Sequence, residues 1–266
     1  MRGRRSFPLV LVAALTLTLS FLTIPIVAIF VDVGPSRLVG SLDDPAAVDA
    51  LRLSLETTAM ALAIILAVGT PAAWLLATRR FPGRAAVTTL VELPLVLPPA
   101  VAGVGLLAAL GPRGLLGPAL GDAGVQLVFA TAGVVVALTF VASPFYVRQA
   151  QAAFGALDPA LLDASRTLGA GEARTFVRVA IPAALPALAT GAALAWGRAL
   201  GEFGATLVFA GSLRGVTQTA PLAIFERFST DFTGALGLSA VLVALSAAIL
   251  LGVGLLSGRG PGGARA

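Results

Sequence analysis

Six long stretches of this chain hold no charge or only one or two charged residues, and stretches of that kind need a hydrocarbon solvent. Phe7 to Val31 is uncharged, and so is Thr57 to Thr78. Ala85 to Gly111 is interrupted only by Glu92, and Val179 to Ser212 only by Arg198 and Glu202. Ala123 to Val147 and Phe232 to Gly258 carry no charge at all. About 20 apolar residues in a helix cross the core of a bilayer. The expected fold is therefore an all-α integral membrane protein with six transmembrane helices. Composition agrees: 12% of the residues are charged, against about 25% in soluble domains. The first stretch follows MRGRR, as a signal peptide would. It is longer than a signal's apolar region and no small-residue cleavage site follows at Asp32, so it reads as an anchor.

Cysteine and histidine are both absent. That excludes disulfides, zinc–thiolate centres, thiol nucleophiles and the commonest general base and metal ligand. No metal site is expected. The 18 basic residues are all Arg, and their positions speak to orientation rather than to nucleic acid. With the N-terminus inside, Arg2, Arg4, Arg5, Arg79, Arg80, Arg84, Arg148, Arg166, Arg174, Arg178, Arg259 and Arg265 fall in cytoplasmic segments. Arg37, Arg52, Arg113, Arg214 and Arg227 fall outside, twelve against five. Because positive residues collect on the cytoplasmic side, both termini are expected there.

The stretches are not uniform. Gly69 and Pro71 are expected to interrupt the second, and Pro94, Pro98 and Pro99 crowd the third in ELPLVLPPAVAGVG. Proline removes a backbone donor and clashes with the preceding turn. Such breaks are tolerated in a membrane where protein or a wet cavity satisfies the freed groups. The third helix therefore either lines a pathway or sits kinked inside the bundle. In the fifth, WGRALGEFGATLVFAG places Arg198 and Glu202 four residues apart on one helix face. Intramembrane charges face a bundle interior or an aqueous cavity. The pair reads either as a cavity wall for a charged solute or as a structural ion pair, with an interhelical partner for one member also open.

The longest cytoplasmic loop reads DPALLDASRTLGAGEARTFVRVAIP, residues 158 to 182. Asp158 and Pro159 form a helix start. Gly169 and Gly171 stop that helix, and a second is expected from Glu172 to about Ala180, ending near Pro182. Leu161, Leu162, Ser165 and Leu168 share one side. A merely solvated elbow has no need of that apolar face, whereas a docking element does.

These residues resemble the cytoplasmic-loop signature of permease subunits from binding-protein-dependent ATP-binding-cassette importers. Asp163–Ala164–Ser165, then Gly169, then Val179, Ile181 and Pro182 keep every spacing of that signature. Asp stands for the usual Glu and Ser for the second Ala. The resemblance implies a type I importer permease fold whose coupling helices, carrying Asp163, Ala164, Ser165, Gly169, Gly171, Glu172 and Pro182, dock on a cytoplasmic ATPase dimer. This chain has no GxxxxGK[ST] phosphate loop, so the implied ATP and Mg belong to that partner, and no enzyme activity and no cofactor of its own are expected.

GRALGEFGAT, LPLVLPPAVAG and GPRGLLG are further similar to molybdate permeases. That similarity implies import of molybdate or tungstate, handed over by an extracytoplasmic binding protein. A sulfate or thiosulfate permease is the alternative. The resemblance covers roughly residues 48–257 and implies an importer transmembrane domain over 48–258, with 1–47 as tail, anchor helix and external loop, and 259–266 as a cytoplasmic tail. It also implies a homodimer, because the two ATPase subunits each need one loop, with Pro98, Pro99, Arg198 and Glu202 as candidates for the translocation path. Two other classes are weaker. An ion-coupled secondary transporter could use Glu92 beside Pro94, but would leave the loop unexplained. An intramembrane enzyme lacks its nucleophile motif.

Overall fold

We describe the protein from a computed structural model that defines residues 3–40 and 43–257. Arg2, Arg259, Arg265 and the expected tail 259–266 lie outside the described residues. Helices and their connections make up all the described residues, with no strand among them.

Helix α1 (Gly3–Gly40) is broken at Gly34, whose φ of 66° and ψ of 156° belong to a region open essentially to glycine. Its Phe7–Gly34 portion is long and apolar enough to cross a membrane. Val33 is the one buried side chain seen along it among the described residues, and it packs mainly against α12 (Phe232–Ser257).

Helix α2 (Pro45–Thr78) begins a dozen residues earlier than the expected Thr57. The Asp44 carboxylate accepts from the Ala46 N–H at 2.9 Å, and Pro45 opens the first turn, a favoured helix start. Arg52 and Glu56, whose charges set the expected boundary, form an exposed i,i+4 pair at 2.7 Å on the same helix. The expected interruption at Gly69 and Pro71 does not occur, and α2 runs through both. Packing explains this. A Cβ on Gly69 would lie 3.1 Å from both Tyr146 and Val147 of α6 (Thr131–Gly155). Thr70 Oγ1 donates back to the Leu66 carbonyl at 2.6 Å and so accepts from Tyr146 O–H at 2.7 Å. A neighbour and a hydroxyl hold the helix together around its proline.

The third stretch does break. Helices α3 (Arg84–Val96) and α4 (Pro99–Leu110) are bent by 119°. Leu97 before the double proline is extended, with φ −72° and ψ 130°, as a residue preceding proline must be. The membrane helices are thus five unbroken ones plus this bent pair. The fourth span is displaced from expectation. Residues 123–130 form a turn after α5 (Gly117–Asp122), with Gly124 at φ 70°, and α6 starts only at Thr131 and continues past Arg148.

There follow α7 (Pro159–Thr167), α8 (Glu172–Thr175), a π-helical turn (Phe176–Ala180), α9 (Ile181–Leu200), α10 (Gly204–Ala210), α11 (Ala220–Phe228) and α12. The core is the contact of α2, α6 and α9, where Ala61, Ala73, Ala142, Ala150, Ala184 and Ala195 are buried. Small residues let backbones approach where lipid gives helices no hydrophobic reason to associate. At one end of this core Trp74, Phe154 and Phe176 cluster edge-to-face and tilted, with centroids 5.3–6.0 Å apart, next to the α7–α8 loop.

Candidate functional site

The loop is built by local rules. The Asp158 carboxylate accepts from the Ala160 N–H at 2.8 Å and Pro159 opens α7. Gly169 ends it with φ 81°. The Gly169 N–H reaches the Arg166 carbonyl at 2.9 Å and the Ala170 N–H reaches Ser165 at 3.1 Å. Those two bonds make a Schellman stop, which needs a left-handed residue at this position. Gly171 then precedes the first turn of α8.

Inside the elbow the Ser165 and Thr175 hydroxyls lie 3.0 Å apart, with 9% and 1% of each residue exposed. Serine in place of the signature's alanine thus has a partner, and Thr175 belongs with the site although the motif did not mark it. Its sequence signal was a hydroxyl placed one glycine turn beyond Ser165. Outside the elbow, Asp163 pairs with Arg166 at 2.9 Å. Glu172 pairs with Arg79, at the end of α2, at 2.5 Å. The apolar side expected of Leu161, Leu162, Ser165 and Leu168 is divided. Leu162 packs inward, while Leu161 and Leu168 stay 42% and 87% exposed. With Ala164 they floor a cleft of about 330 Å³ whose rim carries Arg174 and Arg178.

The second loop helix does not end near Pro182 as expected. The Ile181 N–H donates to Phe176, five residues back, in the π turn. Widening the helix there accommodates a proline ring that would clash with the preceding turn. From Glu172 to Leu200 the chain is one span of 29 residues, about 43 Å at ~1.5 Å per residue.

Arg198 lies in the last turn of this rod. The expected single span to Ser212 is broken instead, because Gly201–Phe203 leave the helix and α10 starts afresh. Glu202 sits in the gap, 1% exposed. Its Oε1 accepts from the Ala205 N–H at 2.8 Å, satisfying a donor freed at the α10 start. Its Oε2 lies 2.5 Å from Arg198 Nη2 with no aligned hydrogen bond, so charge holds it. The partner of Glu202 is therefore Arg198 itself, reached across a helix end and not along one continuous face.

Of the other path candidates, Pro99 meets this corner. A Cβ on Gly204 would come within 2.7 Å of Pro99 Cβ, and one on Gly103 within 2.7 Å of Val208 Cβ. Only glycine permits so close a crossing of α4 and α10. Pro98 is the residue preceding α4. Glu92 lies 3.1 Å from Arg148 of α6, an ion-pair role that leaves little for the ion-binding carboxylate of a secondary transporter. Among the described residues no group of three His, Cys, Asp or Glu side chains could hold a metal.

This helical architecture is shared with solved importers. A bacterial ABC transporter involved in the import of the acidic polysaccharide alginate superposes with a TM-score of 0.76 over 97% of both chains, at 17% identity. In sequence, the chain is 41% identical over 234 residues to the molybdenum transport system permease protein ModB of Mycobacterium bovis, covering 88% of this chain and 89% of that one. It is 34% identical over 260 residues to the molybdate/tungstate transport system permease protein WtpB of Thermococcus kodakarensis, covering 96% and 98%. Residues 69–259 match the family of inner membrane components of binding-protein-dependent transport systems. The chain belongs to that family: it is a multi-pass inner-membrane ABC importer permease, a subunit type that is not itself an enzyme.

Proposed function

We propose that the chain forms the membrane path of an importer for molybdate or tungstate, driven by a separate cytoplasmic ATPase dimer that holds ATP and Mg. The similarity to ModB and WtpB supports the oxyanion. The observation that carries the mechanism is the single rod from Glu172 to Leu200. A displacement of the α7–α8 loop by an ATPase reaches the Arg198–Glu202 corner without crossing a flexible joint. Two conformations of that corner would then be biased by nucleotide, as alternating access requires.

In this reading the cleft of Leu161, Leu168, Arg174 and Arg178 receives the ATPase, and both termini are cytoplasmic. A binding protein delivers the anion on the far side. Two copies of the chain supply the two loops that an ATPase dimer needs, with the path on their two-fold axis. Uptake of radiolabelled molybdate, tungstate and sulfate by the complex in proteoliposomes tests the reading. Molybdate and tungstate should enter in an ATP-dependent manner and compete with one another. Uptake of sulfate alone would make the chain a sulfate permease.

A further inference from the structure

A second polar crevice lies away from the Arg198 corner, between α3 and α6. Arg84, Thr88 and Glu92 fall at i, i+4 and i+8 along α3, so they share one face of that helix. Arg148 and Gln151 face them from α6, and Ala77 of α2 closes one end, around a volume of about 270 Å³. At ~30 Å³ of liquid per water, that is room for a tetrahedral oxyanion with several waters. The crevice lies on the loop side of the bundle, since α2 supplies Ala77 here and Arg79 to the Glu172 pair two residues later.

Each guanidinium is engaged on its Nε side, Arg84 by a hydrogen bond and Arg148 by an ion pair. Arg84 Nε donates to the Leu76 carbonyl at 2.8 Å, and Arg148 Nε sits 3.1 Å from Glu92 Oε1. Their terminal Nη groups make no hydrogen bond among the described residues. The Arg84 guanidinium, fixed through Nε, presents a rigid fork of the geometry that matches a tetrahedral oxyanion, while the more exposed Arg148 adds a second positive charge beside it. Two positive charges against one carboxylate leave the crevice net positive. Glu92 occupies one side of Arg148 and so weakens, without cancelling, the attraction for an anion.

We propose that this crevice is a weak oxyanion site on the exit side of the permease, occupied by a tetrahedral anion before release. The proposal rests on the oxyanion-import reading for its cargo, and its chemistry is equally that of a lipid phosphate. The carboxylate has a definite use in it. A site with two unopposed arginines would retain a dianion, whereas Glu92 competes for Arg148 and speeds departure.

The test uses the full chain in nanodiscs with its ATPase, titrated with molybdate, sulfate and inorganic phosphate by calorimetry. One set of discs is wholly zwitterionic and a second contains phosphatidylglycerol. Arg84→Gln with Arg148→Gln should weaken anion binding about tenfold or more, the loss of charge-assisted contacts. Glu92→Gln should tighten it several-fold, a direction that misfolding does not produce. Variant-dependent binding in zwitterionic discs assigns the site to the transported anion. A variant-dependent requirement for phosphatidylglycerol, with molybdate excluded, assigns the same site to lipid phosphate. Equal binding by all variants in both discs overturns the proposal. If the unmodified importer takes up no molybdate while sulfate binding still follows Arg84, Arg148 and Glu92, the cargo reading fails and the site stands.

Discussion

Of the sharp turns that interrupt the helices of this permease, the α7–α8 elbow and the α9–α10 corner are made by opposite chemistry. The α7–α8 elbow turns in water. It needs a left-handed glycine at 169, two backbone bonds and one pair of neutral hydroxyls. The α9–α10 corner turns at the end of an apolar span. There a buried carboxylate, Glu202, satisfies the freed Ala205 N–H and is itself balanced by Arg198. Water can complete the first turn's hydrogen bonds, but it does not reach the buried carboxylate of the second. Where solvent is missing, the protein must carry its own acceptor, and a charged acceptor needs a counter-charge.

That contrast predicts unequal responses to mutation. Glu202→Ala should have the largest effect. Removing one partner of a buried pair costs roughly 3–5 kcal/mol, so the thermal transition of the detergent-purified chain should fall steeply or the chain should fail to accumulate. Glu202→Gln keeps an acceptor for Ala205 and should be milder in stability. If the two substitutions are equally harmful, the capping part of the comparison is wrong.

Gly169→Pro comes next. Proline fixes φ near −65° and cannot take the left-handed value, at a cost of about 3 kcal/mol or more. The cost is confined to a solvated elbow, so the chain should insert and fold while ATP-dependent uptake falls to background. Normal uptake would remove the elbow from the transmission path. Ser165→Ala and Thr175→Val should each lower stability by about 1 kcal/mol, and the double variant by little more than either single one, since the two hydroxyls serve each other. A double-mutant cycle of thermal melts reads this directly.

The smallest expected effect lies at a third helix start, outside the membrane. The Ala46 N–H bond, with help from Arg227, holds the Asp44 carboxyl below its usual range despite some opposing desolvation. A depressed carboxyl stabilises the fold above its unfolded value of about 3.9 and loses that contribution as pH falls through the folded value. The advantage of the native chain over Asp44→Asn should therefore be a few tenths of a kcal/mol near neutrality. It should fade as pH falls through the folded-state value and be gone once the carboxyl is protonated in both states. An advantage that grows in acid would contradict the assignment.

Legibility in the sequence followed the same division. The elbow could be read residue by residue, because Asp158, Pro159, Gly169 and Gly171 act through local rules that do not depend on what packs nearby. The double proline at 98–99 was legible for the same reason. The corner was not. Nothing local in GRALGEFGAT separates a continuous helix from one that stops at Leu200, and the decision rests with Gly204 meeting Pro99 a hundred residues away in sequence. Pro71 misled in the other direction, since the support that carries α2 through it comes from Tyr146. The π turn that joins the loop to α9 is likewise a product of context. Pro182 alone reads as a stop.

Helix α1 has one further consequence. Apart from Val33 its side chains from Phe7 to Gly34 face outward, and its one substantial neighbour is α12. A helix held on one flank is free to lean, and leaning is how a long apolar segment adapts to bilayer thickness. When the surrounding membrane thins or thickens, the adjustment can be taken up by inclination of α1 about its α12 seam and its Gly34 joint. The α2–α6–α9 core, interlocked through its alanines, keeps its shape. Within one chain, the lightly held α1 thus separates adaptation to the lipid from the helices that carry the loop and the corner.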